Sequence, residues 1–178
     1  MPREHQPERL WDFSLPNTHD EFWGGYQVFD STRKTFVDAP EPDQKIIRDY
    51  PFWIDKGPLL DNTRVTLTTA RLQYAVGEAV RVAHIVEETG IGRTLYVVGP
   101  KVIRDEFVND VQSTATTQDP DDYPWLPSSY DGGVLPSPGI DYNFEITEYR
   151  FAEPGIYRIQ WRPGRYRSNV LVVTTRKL

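Results

Sequence analysis

The chain has 178 residues, which suits one domain with a sizeable core, or one domain plus an extension. It holds no cysteine, which excludes a disulfide scaffold, a thiolate metal site and a cysteine nucleophile. A net charge of −6 argues against a general nucleic-acid binder, and 38% hydrophobic with 26% charged residues is a composition that folds.

The N-terminus, "MPREHQPERLWDF", is charged and has no apolar h-region, so it reads as the start of a cytoplasmic protein rather than a signal peptide. Residues 1–63 read as a separate unit. Their prolines (Pro2, Pro7, Pro16, Pro40, Pro42, Pro51, Pro58) forbid long helices. Their aromatics, Trp11, Phe22, Trp23 and Trp53 among them, argue against a free tail. An ordered, mostly irregular extension packed on the following domain is expected, with a short strand at Tyr26–Phe29.

From residue 64 to 178 the pattern is β. "VTLTTARLQYAV" places Val65 and Leu67 on odd positions, then Ala70, Leu72, Tyr74 and Val76 on even ones. Such a parity switch predicts a bulge or bend near Thr68–Ala70, where a first strand changes sheet. "AVRVAHIVEE" puts Val80, Val82, His84 and Val86 on one face, and "RTLYVVG" predicts a third, central strand, apolar on both faces. A long insertion loop, 99–141, follows. It holds a short helix or strand in "VIRDEFVNDV", then the proline-rich "DPDDYPWLPSSYDGGVLPSPG". "YNFEITEYRF" turns Tyr142, Phe144 and Ile146 inward, "GIYRIQW" turns Tyr157, Ile159 and Trp161 inward, and "SNVLVVTT" closes the chain. Its four consecutive apolar residues, 170–173, call for a cover on both faces, and the aromatic extension is the material at hand. Deleting residues 1–63 is then expected to expose apolar surface.

Phe144, Ile146, Tyr149, Glu153, Gly155, Tyr157 and Ile159 fall where immunoglobulin domains carry the pattern L-x-I-x-x-L-x-x-x-D-x-G/A-x-Y-x-C. The stretch resembles the E strand, E–F corner and F strand of an immunoglobulin-like antiparallel β-sandwich. The resemblance implies that Tyr157 is a tyrosine-corner residue whose hydroxyl bonds backbone near the corner. Ile159 stands at the cysteine position, so the inter-sheet disulfide is absent. The resemblance is one of fold and carries no active site. "RPGR" at 162–165 becomes the turn between strands F and G. Pro–Gly suits the centre of a type II turn, which predicts a longer, projecting loop.

Several residues could carry chemistry. His84 is the histidine placed inward on a clear strand, and with a carboxylate it could serve as a base. The plainer reading is a core histidine with one hydrogen-bond partner. "THDE" at 18–21 with His84 is a weak metal set, and "DPDDY" at 119–123 lacks the glycine and distant glutamate of an EF-hand, so no metal and no cofactor are expected. Tyr123, Trp125 and Tyr130 could stack on a sugar or apolar ligand, or simply anchor the loop. Arg162, Arg165 and Arg167 could grip a carboxylate or phosphate. Residues 105–148 hold ten acids and no Lys or Arg, whereas 150–178 hold seven Lys or Arg and one Glu. The arginines could therefore pair internally instead, with Asp119, Asp121 or Asp122.

No G-x-S-x-G, Walker or H-E-x-x-H motif is present. The sequence thus points to a non-catalytic binding or protein-interaction module of soluble type, with an inhibitor-like version included. Its partner is a protein or a small anionic or glycan ligand, with no nucleic acid and no membrane. A carbohydrate-binding module using the loop aromatics, and a small lyase, isomerase or cyclase using His84 in a pocket under the N-terminal segment, are the alternatives.

Overall fold

A computed structural model describes residues 27–30, 32–97, 101–117, 123–127, 130 and 133–178. In chain order these form β1 (Gln27–Asp30), β2 (Thr35–Asp38), α1 (Glu41–Asp49), a 3-10 turn (Tyr50–Phe52), β3 (Thr63–Thr69), β4 (Gln73–Ala75) and β5 (Ala79–Glu88). Then come β6 (Thr94–Leu95), β7 (Glu106–Val108), β8 (Val111–Gln112), β9 (Leu135–Pro136), β10 (Gly139–Asp141), β11 (Thr147–Arg150), β12 (Gly155–Trp161) and β13 (Leu171–Arg176). The fold class is all-β, consistent with a β-sandwich.

One sheet is centred on β5. Strand β3 pairs with it on one side, and β10 and β11 share the other. The second sheet runs β4-β13-β12-β7-β8. The chain changes sheet where the parity of the sequence switches: β3 belongs to the first sheet, and after the break at 70–72, β4 pairs parallel with β13 in the second. Between the sheets lies the core, with Val65, Leu67, Val82, Ile159, Trp161 and Val173 buried.

Strand β5 is covered on both faces. Val80, Val82 and Val86 enter the core, while Ala83 and Ile85 meet Ile46, Ile47 and Tyr50 from α1 and the turn after it. Arg81 bolts the helix down with two parallel bonds to Asp43, Nε to Oδ1 at 2.7 Å and Nη2 to Oδ2 at 2.6 Å. The described part of the extension is more regular than its prolines suggest. Pro42 sits in the first turn of α1, where a missing N–H leaves no hydrogen bond unmade. The expected central strand "RTLYVVG" is a further departure. Among its described residues only Thr94–Leu95 is strand, paired in a small ribbon with β9, and both sides of β5 are already taken. "VIRDEFVNDV" resolves into the β7–β8 hairpin, turned by Asn109 and Asp110 at φ 49 and 62. Two consecutive residues with positive φ suit the right-handed twist of the strands they join.

Three other expectations change. Tyr142, Phe144 and Ile146 do not share a face: Phe144 enters the inter-sheet core, and Tyr142 and Ile146 pack on the helix side of β5. The backbone between β10 and β11 is irregular, so period-two parity does not carry across it. In β13, Leu171 and Val173 are buried, whereas Val170 and Val172 are 39% and 36% exposed, so the strand alternates as a half-covered one does. The turn between β12 and β13 lies one residue later than "RPGR" implies. Tyr166 N donates to Pro163 O, and Gly164, at φ 54, is its first central residue. A positive φ there belongs to the primed hairpin turns rather than type II.

The outer edge of β3 is closed by a side chain. Asn169 accepts from Leu67 N at 2.7 Å and donates to Leu67 O at 3.0 Å, imitating a neighbouring strand. Tyr157 OH donates to Glu153 O at 2.9 Å, a backbone bond near the corner as the resemblance implies, and its ring stacks on Phe151 with centroids 3.7 Å apart. Tyr157→Phe removes one hydrogen bond and keeps the stack. It should lower stability by about 0.5–1.5 kcal/mol in urea unfolding. An unchanged midpoint would mean that solvent serves the Glu153 carbonyl equally well.

Candidate functional site

His84 lies in mid-β5 on the inner face, 1% exposed. Its Nε2–H donates to Oε2 of Glu106, which rises from β7 in the opposite sheet and is fully buried. Oε1 of Glu106 accepts from Thr147 Oγ1 at 2.6 Å and from Tyr149 OH, both on β11. Trp161 meets the imidazole edge-on, with centroids 5.1 Å apart. The group is a polar rivet between the sheets. Burial pushes the Glu106 carboxyl up, but the His84 charge and the bonds from His84, Thr147 and Tyr149 outweigh it and hold it below 4.5. The Tyr149 hydroxyl is driven up by its own burial and by Glu106. His84 Nδ1 is buried without a hydrogen-bond partner. Chemically the arrangement fixes two sheets in register. Its imidazole faces side chains, not solvent.

The aromatic residues of the long loop lock onto one another. Tyr123 and Tyr130 each stand edge-on to Tyr96, at 5.1 and 5.2 Å, and Tyr123 is edge-on to Trp125. Trp125, 6% exposed, leans on Tyr166 of the turn between β12 and β13. Tyr130 OH donates to Gly133 O at 2.6 Å, and Tyr123 OH accepts from Thr94 N at 3.2 Å. These rings anchor the loop to the sandwich end.

The arginines divide. Arg162 stacks on Phe107, with Cζ 4.3 Å from the ring centroid, and pairs with Asp110. Arg165 reaches Asp61 at 2.6 Å. Tyr166 between Arg165 and Arg167 is buried while both arginines are exposed, so the two point away from the core together. Among the described residues, Arg167 donates only to the carbonyls of Gly164 and Tyr166. Asp119, Asp121 and Asp122, and the "THDE" segment, lie outside the described residues. Among those that are described, no group of three or more His, Asp and Glu could hold a metal ion.

No protein-family model, curated protein or solved structure matches the chain. What the site can do rests on its own geometry. Arg158 on β12 and Arg176 on β13 were not singled out in the sequence, yet like Arg167 they are exposed and pair with no carboxylate among the described residues. Strand parity was the signal, since residues 158 and 176 both fall on the outward phase. Two buried lysines also escaped notice. Lys101 is held by Asp141 at 3.0 Å, and Lys56 stands 3.9 Å from Glu87, its amine pushed down by burial to about 8.

Proposed function

We propose that the chain is an immunoglobulin-like sandwich acting as a protein-interaction module, with its recognition groups on the F and G strands and their connection. The sheet order supports the fold. Strands β3, β5 and β11 take the places of A, B and E, and β7, β12 and β13 those of C, F and G. The observation that carries the function is a charge imbalance in space. On a chain of net charge −6, Arg158, Arg167 and Arg176 stand exposed on the F–G side without a carboxylate partner among the described residues. An unpaired guanidinium offers a fork of donors to a carboxylate on another molecule.

Photo-crosslinking groups placed at the exposed positions 170 and 177, which leave the three arginines in place, with a control at Arg48 on α1, test this in extracts of the native host. The F–G positions should give discrete protein adducts that excess unlabelled protein suppresses, and position 48 should not. Arg165→Ala with Arg167→Ala should weaken the adducts while the thermal midpoint barely moves, because both side chains are on the surface. Adducts no different from those at position 48, together with binding on a glycan array, would favour the carbohydrate reading. A loss of stability in the double variant would assign the turn to the fold.

A further inference from the structure

The outer face of the second sheet carries apolar and basic side chains in an ordered stripe. Ile156 on β12 faces Thr174 on β13, and Arg158 faces Val172. Arg176 lies two positions beyond Thr174 on the same face, and Val170 two before Val172. Ile156 is 59% exposed, with Val170 and Val172 also open. Neighbouring strands lie about 4.8 Å apart and each residue advances about 3.3 Å. The rows of Arg158 and Arg176 are therefore about 13 Å apart along the strands, with Ile156 and Val172 between or beside them. Outward positions on an antiparallel sheet that faces water are ordinarily polar. Two unpaired guanidiniums bracketing aliphatic side chains are an arrangement that both solvates poorly and repels cations.

We propose that this face docks an acidic protein segment in extended conformation, with carboxylates four residues apart and an aliphatic side chain midway between them. Four residues of extended chain span about 13 Å, and positions i, i+2 and i+4 share one face. The carboxylates then meet Arg158 and Arg176, and the central side chain rests on Ile156 and Val172. Charge complementarity selects this occupant over a basic or neutral one. The inference deepens the interaction-module reading and depends on it.

The test uses the full chain and labelled peptides containing Glu-Ser-Val-Ser-Glu, with a Lys-for-Glu isomer and a Ser-for-Val isomer as controls, followed by fluorescence anisotropy. The Glu peptide should bind, and binding should weaken with added salt. Each of Arg158→Glu and Arg176→Glu should weaken it roughly tenfold, and both controls should bind poorly. Ile156→Thr, which keeps a strand-favouring residue, should weaken binding while the thermal midpoint holds. Binding unaffected by the arginine reversals, or no binding of the Glu peptide, overturns the proposal. So does a monomer–dimer equilibrium abolished by Arg158→Glu, which would give the face to a second copy. If the peptide fails while position 170 still yields protein adducts, the sheet-face inference falls and the interaction module stands. If both fail, both readings fall.

Discussion

Glu106→Ala is expected to destabilise the sandwich by about 3–5 kcal/mol, among the largest effects open to a single substitution here. The carboxylate serves three side chains on two strands of the facing sheet: His84 on β5, and Thr147 and Tyr149 on β11. Removing it strands their donors between two sheets, where water cannot replace the acceptor. The cost is that of leaving buried polar groups unpaired, larger than the net worth of the bonds themselves. Urea unfolding followed by far-UV circular dichroism reads the loss. A loss below about 1 kcal/mol would mean that the sheets hold register without the rivet.

The same group fixes a pH signature. Glu106 has a folded-state value below 4.5, so its contribution is whole above the unfolded value and drains away as the pH falls through the folded one. Burial raises Glu88 and Asp141 in the fold, so their ionisation acts in the opposite sense, favouring the folded state more at low pH than at high. The difference between wild type and Glu106→Gln isolates one carboxyl from this mixture. It should be constant above 4.5 and shrink below it. A difference that does not change with pH would show that the Glu106 carboxyl titrates alike in the folded and unfolded states.

What the sequence made legible was local. The parity switch in "VTLTTARLQYAV" announced the move between sheets because one strand cannot present two phases to one core. The resemblance to an immunoglobulin corner implied a bond from Tyr157 to nearby backbone, and it reaches Glu153, four residues before it. Long-range pairing hid the rest. "RTLYVVG" has the composition of a central strand, but β10 and β11, from more than forty residues later, occupy the side of β5 that it would need. His84 could be placed inward, but nothing in its neighbourhood named Glu106, which reaches it from the other sheet. The charge blocks behaved in the same way. Arg162 does find a partner in the acidic stretch, Asp110, whereas Arg165 pairs with Asp61, well outside it. Arg158, Arg167 and Arg176 take none among the described residues. Block charge foretold attraction between segments and could not say which arginines would be left over. Those are the ones on which the functional proposal rests.

Lys101→Met should be nearly as damaging as loss of Glu106, with a pH dependence that arises in the variant rather than in the wild type. The Lys101 and Asp141 side chains are 0% and 2% exposed, with Nζ 3.0 Å from Oδ2 and 3.1 Å from Oδ1. The ammonium also donates to Tyr96 O at 2.5 Å and sits 4.5 Å above the Phe144 ring. Burial pulls the lysine down and pushes the aspartate up, and each partner's charge resists the other's shift. The geometry is that of a bonded ion pair. Methionine fills a similar volume and leaves Asp141 with the backbone N–H of Asn143 at 3.0 Å and no cation. A buried carboxylate stripped of its partner costs about 3–5 kcal/mol at neutral pH. Protonation relieves that cost, and a raised folded-state value means stability held at low pH and lost as the pH rises. The deficit of Lys101→Met should therefore narrow on acidification, whereas that of wild type against Glu106→Gln narrows because the wild type itself weakens. Adding Asp141→Asn to Lys101→Met should restore most of the lost stability, since a neutral amide is far cheaper to bury. Urea unfolding of the two singles and the double at neutral pH and near pH 4 decides it. If the double variant is as unstable as Lys101→Met alone, the damage comes from lost packing around Phe144 and Tyr96, not from an orphaned charge.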